Sequence, residues 1–423
     1  MFQLSRVFPV FPVLLLLYGC SGARQAARRT DPLQGILAEL KKDSLGNKIL
    51  KNSDLYELQI IYTQIDRDTA GRPSFTQYRF HVDSTHYFYP ASMVKFPLAL
   101  LALEKINNLR RSGYPRLKKE TFYRLDSLRV FQQQYTDDAG APGKKPSIAH
   151  DMRQILVVSD NLAYNHLFEF LGRDGINQAL ADKGYTRTGI VHRFNFPGRD
   201  NRYASPITFY DPTLGIFKQG EKFEERVWPN PQRDTRKGKG YLQGDSLIRQ
   251  PFDFKTKNWF ALTDMDRMLR AVLFPESVPE QQRFGLTKDD YRFLRHYMGI
   301  FPRECDFPTY DSTYQDGYAK FFLFGDTRAR QNGTIRSFNK IGEAYGTLTD
   351  VAYVLDFEHH VEFMLSATLL CNADGIFNDD VYEYESGIAF LAKLGRAVHA
   401  CELKRPRKGK VPLEPWREAV EWK

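Results

Sequence analysis

Cysteine and tryptophan are scarce, with four of each among 423 residues. Cys305, Cys371 and Cys401 stand far apart with no C-x-x-C or Cys/His spacing, so the pattern offers no metal site and allows at most one disulfide. No cofactor is expected. A charged face of one sign is also missing: the formal charge is +9, but Lys and Arg are scattered among Asp and Glu. The only dense basic run spans Lys404 to Lys410, which argues against nucleic acid as a partner. Nor is there an apolar run able to span a bilayer. The stretch "VFPVFPVLLLLYGC" is too short and too broken by proline.

What is there is ordinary globular composition, 42% hydrophobic and 26% charged, behind an export signal. Arg6 and the apolar stretch make residues 1–20 a signal peptide, and its end, Leu17-Tyr18-Gly19-Cys20, is similar to a bacterial lipobox with an unusual Tyr18. In that reading Cys20 carries the lipid and becomes the mature N-terminus; a plain secretory cleavage suits Gly19 equally. Residues 21–36 form a polar tether, 37–400 one domain with an insertion at 206–257, and 401–423 a basic tail. The expected location is the bacterial cell envelope, lipid-anchored and periplasm-facing, with the protein a monomer.

Within the domain, "YELQIIYTQID" and "QYRFHVDSTHYFY" alternate apolar and polar residues across the turn-like "TAGRPS" and predict a hairpin. Ser92 opens an apolar helix. "HDMRQILVVSDNLAYNHLFEFLGRDGINQAL" carries two helical patterns broken at Ser159-Asp160-Asn161, with Gly172 as a stop. Pro206 to Lys257 has no clear periodicity. "LTDMDRMLRAVLF" is helical with Thr263 as the expected cap, three strand patterns follow from Ser337 to Leu370, and "YESGIAFLAKLGRAVHA" closes the domain as a helix. Strands at both ends with helices between them predict an α+β fold: an antiparallel sheet built from the N- and C-terminal segments, flanked by helices, with a mainly helical subdomain inserted.

Three polar motifs interrupt these elements. In "ASMVK" a lysine three residues after a serine lies one helical turn away, so the Lys95 amine can reach the Ser92 hydroxyl. Apolar neighbours favour the neutral amine that a base requires, and the helix N-terminus supplies amide hydrogens for an oxyanion. Ser159-Asp160-Asn161 has a plain reading as helix-capping residues, but its place between two apolar helices also lets it face a cleft. Lys340-Ile341-Gly342 lies in a strand, where Gly342 permits close approach of a ligand.

In this order the three motifs match the serine β-lactamase and penicillin-binding protein pattern, and from about Leu37 to Ala400 the chain resembles the class A β-lactamases. The resemblance implies roles. Ser92 attacks a lactam or amide carbonyl, Lys95 takes its proton, and Ser159 passes a proton to the leaving nitrogen. Asn161 holds the substrate amide and Lys95, Lys340 supplies positive potential, and Gly342 lies beside the substrate. The backbone amides of Ser92 and Glu343 form the oxyanion hole. The implied partner is a small β-lactam or a peptidoglycan-like acyl substrate.

The pattern also breaks. Class A enzymes carry a Glu after the S-D-N element that activates the deacylating water, whereas "HRFNFPGRDNRYASP" has none; Asp200 is the nearest substitute, with Asn201 able to orient a water. Ile341 replaces the hydroxyl residue of K-[ST]-G, Glu343 adds a carboxylate, and no arginine follows through Asp350. Three readings stay open: β-lactam hydrolysis through a Ser92 acyl-enzyme; a D,D-peptidase-like, esterase or amidase activity of the envelope that β-lactams acylate and that deacylates slowly; or a non-catalytic envelope-binding lipoprotein. Retention of Ser92, Lys95, Ser159 and Asn161 together argues against the last.

Overall fold

The computed structural model describes residues 31–196, 201–211 and 214–422. Cys20 and Asp200 lie outside them. The helices used below are α1 (Pro32–Leu40), α2 (Ser44–Lys51), α3 (Lys95–Arg111), α4 (Ile148–Val157), α5 (Asn161–Leu171), α6 (Arg173–Asp182), α7 (Leu262–Leu273), α8 (Lys288–Gly299), α9 (Tyr384–Lys404) and α10 (Glu414–Val420).

The main sheet has five antiparallel strands. β1 (Gln59–Arg67) and β2 (Pro73–Phe80) form a hairpin as expected, but its second strand begins earlier, with Pro73 and Ser74 inside it, and ends at Phe80 instead of running on to Tyr89; β3 (Ile335–Ala344), β4 (Thr347–Asp356) and β5 (Val361–Leu370) complete the order β3-β4-β5-β1-β2. The two ends of the chain therefore meet at β1 and β5. Every residue of β4 is buried, because both faces of the sheet are covered. Ala352 and Val354 pack with Leu33, Ile36 and Phe390 of α1 and α9, while Val351, Tyr353 and Leu355 pack toward α7, α8 and the inserted helices.

α3 is the central helix of the insert. Its residues from Lys95 to Leu103 are all buried, so its sequence is apolar on every side rather than striped. Pro97 falls in its first turn, where a missing N–H costs little.

Four other details differ from the sequence expectations. The cap of α7 is Ala261, not Thr263: Ala261 is extended and its carbonyl accepts from Asp264 at 3.0 Å, which places Thr263 inside the first turn. The segment read as two helices holds three, since Gly172, at φ +78, both ends α5 and starts α6. The segment 206–257 is built of short strands, of which Ile207–Asp211 pairs with Phe122–Leu125 and Leu214–Gln219. Finally, the folded unit runs from Pro32 and takes in 401–423. That segment is no free tail: Arg405 and Arg407 pair with the buried Glu402, and Trp416 of α10 stacks 4.6 Å from the Tyr353 ring. No described helix is long and apolar enough to cross a membrane.

Candidate active site

Ser92 lies in a tight turn, Ala91–Val94, that runs straight into α3. It is not a side-chain cap. Ala91 just before it adopts φ +48, a left-handed conformation that costs an L-residue roughly 1–2 kcal/mol and turns the serine toward a cleft of ≈ 630 Å³. The neighbouring strand presses on this turn. A Cβ at Gly342 would come within 2.7 Å of the Pro90 carbonyl oxygen and 3.0 Å of the Met93 side chain. Gly342 therefore lets β3 approach the Ser92 turn, and it stands between Ile341 and Glu343, which line the cleft.

The S-D-N element divides its labour. Asp160 is the cap of α5, accepting from the Ala163 amide at 2.8 Å, which leaves Ser159, at φ +64, and Asn161 to line the cleft. Beneath them sit two lysines. Lys95 is fully buried and donates to Asn161 Oδ1 at 2.7 Å, to Ser159 Oγ at 3.3 Å and to the Ser159 carbonyl. Lys340 donates to the same Ser159 Oγ at 2.7 Å and to the Ile341 carbonyl at 2.8 Å. One hydroxyl thus bridges two amines. Burial pushes Lys95 well below the usual lysine range, and the nearby Lys340 pushes it further. Burial also brings Lys340 down to about 7 against the opposing pull of Asp350. No hydrogen bond links Lys95 to Ser92; the amine is turned to the acceptors of the S-D-N turn.

These lysines make stability depend on pH. Unfolded, the Lys340 amine holds its proton to about 10.5, whereas folded it loses it near 7, so the unfolded state binds more protons between those values and stability rises with pH there. Chemical denaturation should show a gain from pH 7 to 9, with on the order of 2 kcal/mol due to Lys340. Lys340→Met should flatten part of that slope. A profile unchanged by the substitution would count against a neutral lysine at this position.

β3 is one of the two edge strands of the sheet. Along an antiparallel strand the N–H and C=O of one residue share a side, and the side alternates with each residue. The Ile341 carbonyl turns outward to Lys340, so the Glu343 amide, two residues on, turns the same way. That orientation suits the oxyanion role implied for it. The Glu343 side chain is exposed at the rim, has no cation at ion-pair distance among the described residues, and loses enough water for its carboxyl to rise.

The loop after α6 supplies residues that the sequence did not single out. Asn165 of α5 donates to the Phe194 carbonyl at 2.8 Å and accepts from the Phe194 amide at 3.0 Å, which fixes Asn195 where it lines both the cleft and an adjoining chamber of ≈ 510 Å³. Asn201, expected to orient a water, instead accepts from the Arg193 amide at 2.8 Å and closes the loop. The two carboxylates of the adjoining chamber are engaged. Asp160 caps α5, and Glu169 pairs with Arg193 at 2.8 Å. His192 and Lys257 also line the cleft, and no local spacing in the sequence marks either.

The sequence profile of the β-lactamase enzyme family matches residues 47–282, more than half of the chain. Among solved structures, a β-lactamase from Xanthomonas campestris is 16% identical, with 88% of this chain and 97% of that one covered and a TM-score of 0.45. One from Sphaerobacter thermophilus is 12% identical, with 89% and 98% covered and a TM-score of 0.44. One from Streptosporangium roseum is 15% identical, with 86% and 99% covered and a TM-score of 0.45. No curated protein matches.

Proposed function

Because the chain belongs to the β-lactamase enzyme family, we propose that it is a serine acyl hydrolase that opens an amide or ester through a Ser92 acyl-enzyme and releases β-lactam acyl groups slowly. The observation that carries this reading is the shared Ser159 hydroxyl between Lys95 and Lys340, directly beside a cleft that Ser92 lines. Neutral Lys95 accepts the proton as Ser92 Oγ bonds to the carbonyl carbon. Charge then grows on the carbonyl oxygen, where the Ser92 and Glu343 amides meet it. Ser159 Oγ hands its proton to the leaving nitrogen and takes one from the Lys95 ammonium, which returns that amine to its neutral form; the C–N bond breaks, and the acyl group remains as an ester on Ser92. Water must then cleave that ester.

Slow release is favoured by the loop. Of the polar loop residues that line the cleft among those described, Arg193 is paired with Glu169, His192 is brought by burial down to about 4 and so is a weak base, and the Asn195 amide can orient a water but cannot take its proton. An envelope amidase, esterase or D,D-peptidase-like enzyme that β-lactams trap fits this site better than a dedicated β-lactamase. The same reading puts the mature chain, lipidated at Cys20, on the periplasmic face of the envelope. Incubation of cell fractions with a panel of β-lactams, followed by intact-mass analysis, tests both. Expected are one acyl mass on the membrane-associated chain beginning at Cys20, persistence of the adduct after free drug is removed, and no adduct on Ser92→Ala. Labelling of Ser92→Ala sinks the nucleophile, immediate loss of the adduct sinks slow release, and a soluble unlipidated chain sinks the anchor.

A further inference from the structure

We propose that Lys257, delivered by the inserted segment 206–257, binds the carboxylate of an anionic acyl substrate and so sets the substrate class. The inference rests on the serine-hydrolase reading above. Lys257 lines the same cleft as Ser92, Ser159 and Asn161. Its backbone is held on both sides while its ammonium is left free. On one side the Lys257 amide closes a turn to the Phe254 carbonyl at 2.9 Å, and Phe254 is buried in an aromatic cluster with Tyr87, Tyr89 and Phe377. On the other, Asn258 is fully buried, accepts from the Val191 amide at 2.7 Å and the His192 amide at 3.1 Å, and receives the Tyr87 hydroxyl on its carbonyl at 3.1 Å. The ammonium lies 5.8 Å from the Tyr345 ring centroid and makes no hydrogen bond or ion pair among the described residues.

The other cationic candidates around the cleft are committed elsewhere. Lys95 and Lys340 are beneath the floor and bonded to Ser159. Arg193 is paired with Glu169. His192, its Nδ1 on the Arg193 carbonyl at 2.8 Å, is pushed by burial down to about 4 and is neutral at pH 7. A neutral imidazole attracts no anion. On β3, Ile341 offers no hydroxyl and Glu343 offers the wrong charge. An anion entering this cleft therefore finds one unengaged cation among the described residues, on a rigid mount, which is the arrangement that gives charge selectivity at low ordering cost.

The test compares benzylpenicillin with its methyl ester, which differ in the carboxylate. In the wild type the anion should acylate Ser92 faster, and the anion-to-ester ratio of acylation rates should fall about tenfold or more in Lys257→Gln while Lys257→Arg recovers most of it. A ratio unmoved by Lys257→Gln, or moved equally by Lys257→Arg, overturns the proposal. Equilibrium binding of benzylpenicillin to Ser92→Ala, with and without Lys257→Gln, decides the matter without chemistry: at least tenfold weaker binding in the double variant supports it, and equal or absent binding overturns it. Failure of the wild type to be acylated by either donor would instead remove the serine-hydrolase reading and leave the binding comparison to judge Lys257.

Discussion

The Ser92 acyl-enzyme is expected to decay about 10²- to 10⁴-fold faster when Asn195 is replaced by aspartate, the range a positioned general base typically contributes. The substitution keeps the shape of the side chain and exchanges an amide nitrogen for an oxygen that accepts a proton. It also keeps a residue type that tolerates the left-handed backbone at this position, φ +48, which a longer glutamate would strain more. Asn165 clamps both backbone groups of the preceding residue, so the new carboxylate should stay where the amide was. Stopped-flow acylation followed by mass analysis of the decaying adduct gives the two rates separately. A lifetime unchanged in Asn195→Asp would mean that base strength at this loop does not limit release.

Lys95→Met should slow acylation of Ser92 by about 10²- to 10⁴-fold, roughly 3 to 5 kcal/mol of barrier, because it deletes the proton acceptor while keeping the aliphatic stem. The physical point lies in the comparison with stability. Lys95 has no carboxylate partner at ion-pair distance, only neutral oxygens and the Phe194 ring at 5.3 Å. Removing a buried amine held so costs the fold little, because burial already favours its neutral form and its desolvation disappears with it, although Asn161 and Ser159 lose a donor. Thermal melting of Lys95→Met should therefore stay near that of the wild type. Acylation within tenfold of wild type would show that another group takes the Ser92 proton.

How much of this was legible in the sequence depends on the range of the signal. The long strands and α3 declared themselves because eight or more residues repeat one pattern. The three motifs could be placed on elements for the same reason, and Ser92, Ser159, Asn161, Lys95 and Lys340 do converge. The short strands of 206–257 carry too few residues for a period to emerge, so their contribution of Lys257 to the cleft was invisible. Gly342 was recognised as a point of close approach, yet what approaches is the Pro90 carbonyl, a long-range contact no local pattern encodes. The run near Lys404 was read as a basic tail because nothing local shows that Glu402, the partner of Arg405 and Arg407, is buried in the core. Thr263 lost the cap to Ala261 because the chain entering α7 was already extended there.

The pairing of β1 with β5, in which Gln59 faces Thr368, bears on how the protein comes into being. During synthesis the hairpin and the Ser92 turn with α3 emerge early, but the strand that carries Lys340 and the one that covers β1 emerge late. Until then β1 presents an unpaired edge, the kind of surface that recruits other chains. Loops this long close slowly, since their entropy is lost before any contact rewards it. A nascent chain is thus without a working cleft until its final strands arrive, and assembly of the site and escape from aggregation become a single late event.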